Sequence, residues 1–97
     1  MGKIYKGQTK LKIELTVNQD ITDATVKRIK YQKPSGETGY WPATVSSATA
    51  GVIYYEPDTT SILNEVGKWT LWAWVTFSDD RLAPGEPVMM MIYKEGT

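Results

Sequence analysis

Lys68-Trp69-Thr70-Leu71-Trp72-Ala73-Trp74-Val75-Thr76-Phe77 is the stretch whose reading decides the fold. Trp69, Leu71, Ala73, Val75 and Phe77 share one parity, and Thr70, Trp72, Trp74 and Thr76 share the other. A period of two places successive side chains on opposite faces of a strand. The stretch is far shorter than the ~20 apolar residues of a membrane span. A strand in a sandwich is normally apolar on its inner face alone, yet this one carries large aromatics on both. The last apolar run repeats the feature, with Val88, Met90 and Ile92 on one parity and Met89, Met91 and Tyr93 on the other.

The same period runs outward from this stretch. Leu11, Ile13, Leu15 and Val17 alternate with Lys12, Glu14 and Thr16, a half-buried strand closed by the polar turn Asn18-Gln19-Asp20. A second strand spans about Ala24 to Lys33. Its parity slips between Val26 and Ile29, which predicts a β-bulge near Lys27-Arg28. Pro34-Ser35-Gly36 is a turn in which Gly36 takes a positive φ. The returning strand carries Trp41, Ala43 and Val45, and Pro42, which lacks an N–H, marks an edge or an irregularity. Val52-Ile53-Tyr54-Tyr55 is a short strand. Glu56 to Gly67 reads as a crossover loop that tucks Ile62, Leu63 or Val66 into the core. Ser78-Asp79-Asp80-Arg81 is a hairpin-like turn, and Pro84-Gly85-Glu86-Pro87 interrupts the chain before the last strand.

About seven strands with turn signals every ~8–12 residues predict an all-β, immunoglobulin-like β-sandwich. The 97 residues form a single domain, 1–97. The predicted core is Leu11, Ile13, Leu15, Trp41, Val45, Trp69, Leu71, Val75, Val88 and Met90.

Composition narrows the chemistry. Eleven Lys+Arg balance eleven Asp+Glu, whereas a phosphate-binding protein wants a basic surplus. Cys is absent, which excludes disulfides, thiolate metal sites and Cys nucleophiles. His is absent, which removes the commonest general base and metal ligand. The expectation is a non-enzyme with no catalytic residue, cofactor or metal. Met1-Gly2-Lys3-Ile4-Tyr5-Lys6 has charge but no apolar signal region. The expected product is made in the bacterial cytoplasm without a signal peptide and is incorporated in a virion.

The virion expectation rests on a resemblance. Asp20-Ile21-Thr22-Asp23-Ala24-Thr25-Val26 precedes Ile29-Lys30-Tyr31-Gln32-Lys33-Pro34-Ser35-Gly36. Asn64-Glu65-Val66-Gly67-Lys68-Trp69-Thr70-Leu71 leads the central strand, and Ser78-Asp79-Asp80-Arg81 is followed by Pro84-Gly85-Glu86-Pro87-Val88. Over roughly Gly7 to Ile92 the chain resembles a small immunoglobulin-like domain of bacteriophage and prophage structural proteins, similar to the N-terminal domain of phage baseplate upper proteins. The resemblance implies a virion structural or assembly role without catalysis.

Trp72, Trp74, Met89 and Met91 are the candidate interface, provided the two doubly apolar strands pair. Trp and Met are enriched where proteins meet. The expected partner is the chain itself or another phage structural protein, giving an oligomer. Carbohydrate stacking on the same aromatics is the alternative, and nucleic acid and membrane are not expected partners. The bland reading is that Glu56–Gly67 or Ile4-Tyr5 covers this face. Lys27, Arg28, Lys30 and Lys33 form a basic stretch with Tyr31 as a conceivable stacking platform. A solubilising strand is the simpler reading. Asp79, Asp80 and Glu86 lack the ligand ladder of a calcium loop and read as turn chemistry.

Overall fold

The computed structural model describes residues 3–96, and in them every regular element is a strand. The strands are β1 (Ile4–Tyr5), β2 (Ile13–Thr16), β3 (Ala24–Gln32), β4 (Thr38–Pro42), β5 (Thr44–Ser47), β6 (Val52–Tyr55), β7 (Gly67–Phe77), β8 (Leu82–Pro84) and β9 (Val88–Tyr93). They form two sheets. The larger has the order β1-β9-β7-β3-β4, with β8 also paired to β7, and the smaller has the order β2-β6-β5. The all-β sandwich expected from alternation is what the chain forms. Two short strands beyond the expected set, β1 and β8, and the division of the returning strand raise the count among the described residues.

That division falls at Pro42. Residues 38–42 pair with β3 in the larger sheet, and residues 44–47 pair with β6 in the smaller one. Proline cannot donate to a ladder, so β4 lies at the sheet edge and the chain crosses between layers just after it. The bulge in β3 also exists but sits earlier than expected. The β3–β7 register shifts between Ala24 and Val26 rather than at Lys27-Arg28. The one-residue slip puts Ile29 in the core and sends Arg28 and Lys30 outward. Gly36 turns the β3–β4 hairpin with φ of 94°.

The core is the inner face of both sheets: Ile13, Leu15 and Ile53 from one, and Ile29, Trp41, Trp69, Leu71, Val75, Met90 and Ile92 from the other. Tyr31, Trp41, Trp69 and Tyr55 form its aromatic centre. Trp41 stacks on Tyr55 at 5.1 Å and on Trp69 at 6.0 Å, with Tyr31 tilted against Trp41 at 4.9 Å. The Trp69 indole N–H donates to the Glu65 carbonyl, so the buried ring leaves no orphan donor. Leu11 and Val45 are only partly buried and pack against this core. Val88 is 42% exposed and lies outside it, contrary to expectation, because β9 begins there as the chain leaves the Pro84–Pro87 excursion.

The crossover loop behaves as its sequence implied. Leu63 is 0% exposed, Ile62 packs against the core from the side, and Val66 is 47% exposed. The Leu63 carbonyl accepts the Gly7 N–H at 2.8 Å, which ties the loop to the N-terminal segment. β1 lies beside β9 in the sheet plane, in parallel register with Ile92 and Tyr93. β1 thus extends the edge of the larger sheet, and Leu63 packs into the core.

Candidate functional site

β7 positions the site. On one edge it pairs with β3 along most of its length. On the other it pairs with β9 at residues 67–71 and with β8 at residues 74–76. This double pairing fixes its register and sends Thr70, Trp72, Trp74 and Thr76 to the face opposite the core. The expected pairing of the two doubly apolar strands is therefore present: Thr70 faces Met89 and Lys68 faces Met91. Trp72 and Trp74 are half-buried and belong to no part of the core cluster. Met89 is 63% exposed and Met91 48%.

All four expected interface residues thus share one outer face, but that face is not simply hydrophobic. In the β3–β4–β7 register Arg28 lies between Pro42 and Trp74, and Lys30 between Tyr40 and Trp72. The Arg28 guanidinium sits 4.3 Å from the Tyr40 ring centroid and 5.4 Å from that of Trp74. The Lys30 ammonium sits 4.4 Å from the Trp74 centroid. These are cation–π contacts, and they hold both cations against the sheet. Periodicity within β7 could not show this, since the cations come from a neighbouring strand. The basic stretch was visible in sequence, but its pairing with the Trp pair was not. Tyr31 from that stretch faces the core and offers no outer platform.

Lys33, also from the basic stretch, is withdrawn from the face. Its stem is buried and its ammonium reaches Glu37 at 2.7 Å. The bond from Glu37 holds the Lys33 ammonium above its ordinary value despite desolvation, which acts the other way. Across the β3–β4 turn the Glu65 carboxylate accepts from the Ser35 backbone N–H and hydroxyl, linking this turn to the crossover loop.

A separate polar cleft of about 620 Å³ opens near the far end of β7, lined by Asp20, Asp23, Phe77, Asp79 and Arg81 among others. Two of its three carboxylates are engaged in turns. Asp20 accepts from the Thr22 hydroxyl and N–H, which lowers its pKa. Asp79 accepts from the Arg81 backbone N–H and guanidinium, with the same effect, the backbone bond being the larger cause. Glu86 lines a different cleft, beside Thr16 and Asn18. Among the described residues no group of three or more Asp or Glu is placed to hold a metal ion. No helix of the described chain is long and apolar enough to cross a membrane.

These features define a small two-sheet β-sandwich domain with a cationic, aromatic outer face. No family model and no curated protein matches the chain. Among solved structures, CopC from Methylosinus trichosporium OB3b is similar over 100% of this chain and 89% of its own, with a TM-score of 0.61 and 11% identity. At that identity the likeness is one of fold. It corrects the phage resemblance: the structural likeness leads to CopC rather than to a phage or prophage protein. The motifs behind that resemblance were short turns, and turn chemistry recurs in any sandwich whose strands must be joined. The partner expectations, namely the chain itself, another phage structural protein or a carbohydrate, are corrected by the same likeness to CopC. Of the two outer Trp rings on which a sugar would stack, Trp74 is approached by two cations of the chain's own.

Proposed function

We propose that this protein is a non-catalytic binding module that meets its partner through the outer face of the larger sheet. The observation that supports it is the exposure of Met89 and Met91 on the same outer face as half-buried Trp72 and Trp74, a face that takes no part in the core. Trp side chains supply large contact area at low conformational cost, and Met adapts its shape to what it meets. Arg28, Lys30 and Tyr40 extend the surface toward β4. The absence of His and Cys from the sequence supports a module without chemistry of its own.

The test is selection of ligands from a displayed peptide library on the wild-type protein and on Trp72→Thr/Trp74→Thr. The double variant keeps the fold, because neither ring belongs to the core, and circular dichroism checks this. Selected peptides are expected to bind wild type and to lose binding to the variant. Met89→Glu/Met91→Glu gives a second disruption at well-exposed positions. Ligands that bind wild type and both variants equally, or no enrichment at all, would overturn the reading.

A further inference from the structure

The outer face has a charge of one sign. Its strands β3, β4, β7, β8 and β9 contain no Asp or Glu, and neither does β1. Arg28, Lys30 and Lys68 are the cations on its outer positions. The two ion pairs among the described residues are Lys33–Glu37 and Arg81–Asp79, and they neutralise none of these three. The chain as a whole is neutral, with eleven cations and eleven carboxylates. Its carboxylates have thus been kept off this sheet, and the face carries a local positive field.

We infer, building on the binding-module reading, that the partner is an acidic polypeptide segment in extended form. Two of its carboxylates would seat on Arg28 and Lys30, and its apolar side chains on Trp72, Met89 and Met91. Three features of the face carry the argument. Arg28 and Lys30 lie two residues apart on one side of β3, a separation of about 6.5–7 Å. Carboxylates at alternate positions of an extended peptide have the same spacing. The rings of Tyr40 and Trp74 cover one side of each cation and hold it in place. A carboxylate arriving from solvent pairs with the open side, and little side-chain freedom is left to lose. Met89 and Met91 lie on β9, two strands across from β3, and their register with Thr70 and Lys68 sets them two and four residues beyond the level of Lys30. The next two alternate positions of a segment lying along β3 and β7 come level with Met89 and Met91, and their side chains meet them by leaning toward β9.

Charge complementarity alone also fits a single-stranded nucleic acid, but base stacking needs open ring faces. Here the cations occupy the approach to Trp74 and Tyr40 and Tyr31 is turned into the core, which leaves Trp72 as a single platform where a nucleic-acid strand would stack successive bases on several. A carboxylate uses these cations where they stand, whereas a base on any outer ring but Trp72 must first displace them.

Fluorescence anisotropy with a labelled peptide Asp-Ser-Asp-Ser-Val-Ser-Val, whose alternate positions put both aspartates and both valines on one face, tests the inference, beside the same peptide with asparagine in place of aspartate and an oligothymidylate. The expected result is saturable binding of the aspartate peptide that weakens with added salt. Binding should fall about tenfold or more in Arg28→Gln/Lys30→Gln, as for loss of charge-assisted contacts. Arg28→Lys should recover part of it. The asparagine peptide needs no variant and should bind as weakly to wild type as the aspartate peptide does to the double variant. Equal binding of the two peptides, binding that survives Arg28→Gln/Lys30→Gln, or tighter capture of the oligothymidylate each overturns the acidic-segment inference. If such binding still disappears in Trp72→Thr/Trp74→Thr, the face itself stands. An aspartate peptide that does not bind overturns the inference too, and the display selection then decides separately on the face.

Discussion

Leu63 offers a direct measure of whether the crossover loop belongs to the cooperative fold. It sits in a segment with no regular structure, yet its side chain is 0% exposed and part of the core cluster. Truncation to Ala removes roughly three carbons, worth about 2.4 kcal/mol at ~0.8 kcal/mol each. The unfilled space adds to this, so a loss of about 3 kcal/mol is expected. The melting entropy of a 97-residue chain is about 0.2 kcal/mol/K, so Leu63→Ala should lower Tm by ~15 °C. Val66, three residues on and 47% exposed, is the internal control. Val66→Ala should change stability by no more than about 0.5 kcal/mol. Urea denaturation followed by Trp fluorescence measures both, and an unchanged m-value would show that the same unit unfolds. If the two variants lose the same stability, or Leu63→Ala loses less than about 1 kcal/mol, the loop is not anchored as described.

Two further outcomes follow from the site and its surroundings. The Lys33 ammonium is raised above its usual value of 10.5, chiefly by its bond to Glu37; its stabilising contribution is present below that value and is lost as pH rises through the higher folded pKa. Denaturant midpoints should therefore fall at strongly alkaline pH, and Glu37→Gln should reduce the part of the fall due to this pair; an unchanged alkaline profile would refute the assignment. Met89 and Met91 bring two soft thioethers to one face, but with no His or Cys in the sequence they lack the further donors a soft metal site uses. Titration with Cu(I) or Zn(II) is expected to give no stoichiometric change in Trp fluorescence, and a sharp equivalence point would contradict this.

Residue order alone determined the sandwich class and most of its inner face. Leu15, Trp69, Leu71 and Val75 declare themselves by parity, because a strand's side chains must alternate and only one side meets the other sheet. Leu63 was legible as one of three apolar residues in a polar loop, and Pro42 as an irregularity, because a residue without an N–H cannot sit in a central ladder. Trp72, Trp74, Met89 and Met91 were legible as an outer set for the same reason of parity.

Tertiary structure decided what stands beside them. Whether Arg28 and Lys30 face the core or the Trp pair depends on the bulge at Thr25, which alternation had placed a few residues later. Which strands flank β7 depends on long-range pairing: β8 and β9 share one edge, while β3 takes the other. The chemical character of the face follows from that pairing. Alternation acts between neighbours in the chain and states only which side a residue takes. Cation–ring contacts such as Lys30 on Trp74 join residues far apart in sequence, and only the sheet register brings them within reach of each other.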